Sequence, residues 1–134
     1  MFDASMLVSA AFRRGSVPDR AVRHAFRTDK IAVSEAMMAE PLDVLHRPRL
    51  ARFIDPELRA DLLGQLGTLG VLVRPTVLFA DCRDPKDDKY LELALEAGAE
   101  TITSSDDDLV VLHPWRGIQV VQPAEYLAQT AELG

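Results

Sequence analysis

The chain is poor in soft metal ligands. Its 134 residues hold one cysteine, Cys82, and three scattered histidines, His24, His46 and His113. A lone cysteine excludes an internal disulfide and makes a reducing, cytoplasmic setting the expectation. So few thiols and imidazoles also argue against a Cys/His zinc site. No apolar run approaches the roughly 18 residues of a membrane span. No basic stretch precedes an apolar one at the N-terminus, so no secretory leader is expected. A Gly-rich phosphate loop is missing, which argues against P-loop nucleotide binding. There is no G-x-S-x-G element and no Ser/His/Asp set for nucleophilic hydrolysis. Internal repeats and low-complexity tracts are missing too.

What is present is acid. The net charge of −6 is unevenly spread. Residues 1–67 carry ten basic and nine acidic groups, whereas residues 68–134 carry five and twelve. The densest stretch is Asp81 to Asp88, with Asp81, Asp84, Asp87 and Asp88 in eight residues. Between Arg13 and Lys30 the balance reverses, with six basic groups against two acidic. A basic segment beside an acidic cluster suits a polyanionic substrate at a cation-filled site, and it is equally compatible with ordinary surface charge. An apolar fraction of 48% at this length predicts one folded domain spanning residues 1–134.

Short apolar strands alternate with helices along the chain. Phe2-Asp3 reads as a strand end, with Asp3 or Ser5 placed to cap the helix that ends at Arg13-Arg14-Gly15. Ser16 opens a second helix to about Arg27, with Asp19 as the acid three residues on. Arg20, Arg23 and Arg27 line one face of it, as phosphate contacts or as a solvated row. Ile31 to Val33 is a strand, and Ser34 caps a helix carrying Glu40. Pro41 follows Glu40 directly and predicts a kink or break. Asp55 caps a helix from Pro56 to Leu69. Val71 to Val73 is a strand, and Val77 to Phe79 a second extended piece. Asp84 then caps, Pro85 takes the first helical position, and Asp87 stands as the acid of a capping box. The helix continues through Tyr90, Leu91, Ala94 and Leu95 to Gly98. Thr101 to Thr103 is a strand followed by Ser104, Ser105 and the acids Asp106, Asp107 and Asp108. Ile118 to Val121 is the last strand, and Pro123 opens a terminal helix with Tyr126 and Leu127 inward. This alternation indicates a parallel three-layer α/β/α domain.

Asp3, Asp87 and Asp106 each follow a strand, or the loop after one, and lie at or near a helix start. In a parallel sheet such positions meet at one edge. Acids gathered there, with one more from a neighbouring helix, favour a hard cation with oxygen ligands, Mg2+ or Mn2+. Of the dense stretch, only Asp87 is expected in that pocket. Asp84 is read as a cap, and Asp81 and Asp88 as solvated neighbours.

Several motifs in order resemble the PIN-domain ribonucleases. They are Asp3-Ala4-Ser5-Met6-Leu7-Val8, Ser34 to Glu40 with Val44-Leu45-His46-Arg47-Pro48, Asp84 through Ala99, Ile102-Thr103-Ser104-Ser105-Asp106, and the closing Ile118 to Leu127. The nearest likeness is to the toxins of bacterial toxin–antitoxin pairs. The resemblance implies a PIN-like fold around a central parallel sheet of four to five strands. It implies a metal-dependent endoribonuclease that hydrolyses RNA phosphodiester bonds with Mg2+ or Mn2+. Asp3, Glu40, Asp87 and Asp106 become the catalytic and metal-binding acids, and Ser5 and Ser104 the supporting hydroxyls. Arg13, Arg14, Arg20, Arg23 and Arg27 become the RNA contacts. A cognate antitoxin and a homodimer are the implied partners. The alternative is a PIN-like RNA-binding or protein-interaction module with weak catalysis.

Overall fold

The computed structural model describes residues 1–78, 80–82 and 84–133. Several helices begin where a polar side chain satisfies a free N–H group. Asp3 accepts from the Met6 N–H and starts α1, Ala4–Phe12. Ser16 accepts from the Asp19 N–H and starts α2, Val17–Thr28, while Asp19 reaches back to the Gly15 N–H at 2.8 Å. Strand β1, Ile31–Val33, leads to Ser34, which caps α3, Glu35–Leu45. A short α4, Pro48–Ala51, precedes α5, Pro56–Leu69, capped by Asp55. Strand β2 is Gly70–Leu72. A 3-10 turn at Pro85–Asp87 runs into α6, Asp88–Ala97. Then come β3, Thr101–Thr103, α7, Asp107–Val110, β4, Gln119–Val121, and α8, Pro123–Leu133.

The fold is α/β, with every strand pair parallel. The expected single sheet of four to five strands is replaced by two parallel pairs, β1–β2 and β3–β4. Met1 to Asp3 lie along β3 through three backbone hydrogen bonds of 2.8, 2.8 and 3.3 Å, so Asp3 ends beside Thr103. The physical reason for the division is short ladders. Each strand holds three residues, and a cavity of about 460 Å3 lined by Phe2, Ile31, Ala32 and Val73 interrupts the sheet. Helix α6 packs on both β1 and β3 and ties the halves together. Gly70 is required where β2 leaves α5, because a Cβ there would meet the Leu66 carbonyl oxygen at 2.5 Å. Gly98 ends α6 with φ 65°, the left-handed turn that glycine favours.

The core joins Met6, Leu7 and Ala10 of α1 to Val22 of α2, Met37 and Leu45 of α3, and Leu58, Leu62 and Leu66 of α5. Tyr90, Leu91, Leu93 and Ala94 of α6 pack over Ile31, Ile102 and Val120. In α6 it is Leu93 that is buried, whereas the expected Leu95 is exposed. Tyr126 is buried and Leu127 packs against the core, as expected. Two further expectations are corrected. Helix α3 continues through buried Pro41 without a break. The ring removes one backbone donor, and the flanking turns hold the helix without it. Val77 and Leu78 form no strand and are exposed, while Phe79 lies outside the described residues. No helix among the described residues is long and apolar enough to cross a membrane.

Candidate metal centre

Three chain segments bring carboxylates to the end of β3 and the start of α6. Asp3 follows the residue that bridges to Thr103, and its cap role turns its side chain inward. It is almost fully buried. Its Oδ1 accepts from the Met6 N–H at 3.1 Å, and the Ser5 hydroxyl lies 2.8 Å from each carboxylate oxygen. The Ser104 hydroxyl, also buried, donates to Asp3 Oδ2. Ser104 Oγ in turn accepts the Asp106 N–H at 2.9 Å, so one serine links two of the expected acids. Burial dominates the proton affinity of Asp3 and pushes its carboxyl up to about 6, against the opposing hydrogen bonds from Ser104, Ser5 and Met6. The Asp106 charge adds to the rise.

Asp87 closes the 3-10 turn ahead of α6. Its neighbour Asp84 caps that turn through the Lys86 N–H, and α6 proper begins only at Asp88. The expected capping box is therefore replaced by a tighter turn. Asp87 is 7% exposed, and its Oδ2 is buried with no hydrogen-bond partner. An unpartnered carboxylate oxygen in that setting is costly unless it is protonated or meets a cation. Burial first, then the Asp106 charge, push its carboxyl up to about 7. Asp106 caps α7 and accepts the Asp108 N–H at 2.9 Å. Among the described residues, Asp87, Asp106 and Asp108 offer one ligand atom each, all within 4.8 Å of one another. An all-oxygen set with one unpaired buried member suits a hard divalent cation.

The expected residues are placed unequally. Asp3, Asp87 and Asp106 converge, and Ser5 and Ser104 both hold Asp3. Glu40 is not among the acids with convergent ligand atoms and is paired with Lys89 at 2.6 Å. Arg13, Arg14, Arg20 and Arg27 are exposed. Arg13 follows the last residue of α1, roughly 13 Å from its start by helical rise. Arg23 is held by Asp19 and by Asp61 of α5, each at 2.9 Å. Two carboxylates expected in solvent are structural. Asp88 is buried and accepts the Cys82 N–H at 2.9 Å, and Asp81 accepts the Trp115 indole N–H at 2.9 Å. Asp108 and Lys89 were missed. The run Asp106-Asp107-Asp108 was the available signal for Asp108, since a cap and the next residue but one share a turn.

The PIN domain family profile matches residues 1–108. The chain is 27% identical over 115 residues to an uncharacterized protein of Methanocaldococcus jannaschii, covering 84% of this chain and 73% of the relative. No solved structure matches the chain. PIN domains are in general nucleases and typically depend on divalent metal. The profile match spans most of the sequence and every one of the converging acids, and the chain belongs to the PIN domain family.

Proposed function

We propose that this PIN domain is an endoribonuclease that hydrolyses RNA phosphodiester bonds with Mg2+ or Mn2+, and that it acts as the toxin of a toxin–antitoxin pair. The observation that carries the reading is Asp87, a buried carboxylate with an unpartnered oxygen beside Asp106 and Asp108. A divalent ion held by these three would supply positive charge for the scissile phosphate and acidify a bound water. The chain's own groups do the rest. Ser5, Ser104 and the Met6 N–H fix Asp3, so its carboxylate is oriented to take a proton from the attacking water. A carboxyl pushed up to about 6 accepts that proton more readily than an ordinary aspartate. Glu40 borders the site as the fourth expected acid, with Lys89 bound to it. Exposed Arg13, Arg14, Arg20 and Arg27 would meet the RNA backbone away from the scissile group, while Arg23 serves the α2–α5 contact.

The test is cleavage of a mixed-sequence RNA with Mn2+ or Mg2+ by the wild type, Asp3→Asn and Asp87→Asn. Loss of at least a hundredfold in both variants is expected, and unchanged cleavage in either sinks the assignment. One observation favours a second reading, a PIN-like RNA-binding or protein-interaction module with weak catalysis: Lys89 already occupies one expected acid. That reading requires RNA binding that survives EDTA, with no cleavage under any divalent metal. The toxin role further requires a small antitoxin encoded next to this chain, and sedimentation of the purified chain reads the homodimer.

A further inference from the structure

Lys89 lies in the first turn of α6, two residues past Asp87. Its ammonium donates to Glu40 Oε1 at 2.6 Å and to the Lys86 carbonyl oxygen at 2.9 Å. It also sits 5.0 Å from the centre of the Tyr90 ring. A lysine so restrained on three sides is not a solvated surface charge. The pair is partly exposed, 21% at Lys89 and 37% at Glu40, so its worth to folding is small. Its place in the fold is what matters. The ammonium fills a position already lined by a carboxylate oxygen and a backbone carbonyl oxygen. Those are the ligand types a hard divalent cation takes. Lys86 belongs to the same turn as Asp87, so this oxygen-lined position adjoins the trio Asp87, Asp106 and Asp108.

We propose that Lys89 holds the centre to one divalent ion by occupying the place of a second. Lys89 already neutralises Glu40 and fills the space beside its Oε1, so a divalent ion entering there would have to displace the ammonium or bear its repulsion. With Lys89 in place, the first ion belongs to Asp87, Asp106 and Asp108, and Glu40 is a ligand in reserve. The inference rests on the metal reading of the trio given above.

Mn2+ bound per chain, counted by electron paramagnetic resonance at pH 7.5 in the full chain, tests it. Wild type, Lys89→Arg and Glu40→Gln should each bind one ion. Lys89→Met should bind two, and the double variant Lys89→Met with Glu40→Gln should return to one. Lys89→Gln takes the place of Lys89→Met if circular dichroism shows the Met variant unfolded. One ion in the folded Lys89 variant, or two in the wild type, overturns the role of Lys89 and leaves the metal centre standing. No bound Mn2+ in the wild type overturns both.

Discussion

Replacing Asp87 with asparagine should stabilise the metal-free protein at pH 8 and stabilise it far less at pH 4.5. Burial and the Asp106 charge push the Asp87 carboxyl from 3.8 up to about 7 in the folded chain. Below about pH 3 the group is protonated in both folded and unfolded states, and it costs nothing. As pH rises toward 7, the unfolded chain releases the proton first, so stability falls. At pH 8 the folded protein carries the full cost of an ionised carboxylate. A shift of about three units corresponds to about 4 kcal/mol at 1.36 kcal/mol per unit. Asp106 and Asp108 are only half-buried and admit water, so solvent screening reduces this to about 2 kcal/mol. At roughly 2 cal/mol/K per residue, that is an increase in Tm of about 7 °C. Asparagine keeps the shape, carries no charge and donates to Asp106 as the protonated acid would. The assay is thermal unfolding in EDTA at pH 4.5 and pH 8, wild type against Asp87→Asn. Equal destabilisation at both pH values would refute the argument, because it would mean that Asp87 contributes packing or a hydrogen bond rather than an uncompensated charge.

Mn2+ at a hundredfold excess over its Kd should stabilise the wild type at pH 8 by about 2.7 kcal/mol and leave Asp87→Asn unmoved, by the same unfolding assay. Asp108→Asn should weaken Mn2+ binding at least tenfold in a calorimetric titration, and Asp107→Asn, exposed on the same turn, should not. Ser104→Ala removes the hydroxyl shared by Asp3 and Asp106 and should cost about 1–3 kcal/mol in chemical denaturation. It should also push the Asp3 carboxyl further up, since one opposing hydrogen bond is lost. Gly70→Ala forces a Cβ to 2.5 Å from the Leu66 carbonyl oxygen and should lower Tm by several degrees.

The helix starts were legible because capping is local. Asp3, Ser16, Ser34, Asp55 and Asp84 each satisfy an N–H within three residues, and that information lies in the residues themselves. The division of the sheet was not legible. Strands of three residues say which segments are extended, but pairing between β1 and Met1 to Asp3 depends on how α6 and the helices around it settle. The same distinction sorts the acids of the dense stretch. Asp84 acts through its own turn and was assigned correctly. Asp88 acts on Cys82, six residues back, and Asp81 on Trp115, thirty-four residues on, so both were taken for solvated charges.

The site itself divides along that line. A carboxylate at a strand end is placed by the strand, and any parallel arrangement brings such carboxylates to one edge. Asp3 and Asp106 are of this kind, whereas Asp87 is placed by the 3-10 turn that runs into α6. Glu40 is placed by the second turn of a helix, and which neighbour it meets depends on how α3 packs against α6. The break expected at Pro41, next to Glu40, does not occur, and α3 runs through it. The competitor is Lys89, a cation supplied by α6 itself. Opposite charges on two packed helices find each other when no ion intervenes, so the acid least tied to a strand end is the one with an internal counterion. Under the metal reading proposed above, the number of divalent ions would be decided at the α3–α6 contact, away from the segments that place Asp3, Asp87 and Asp106.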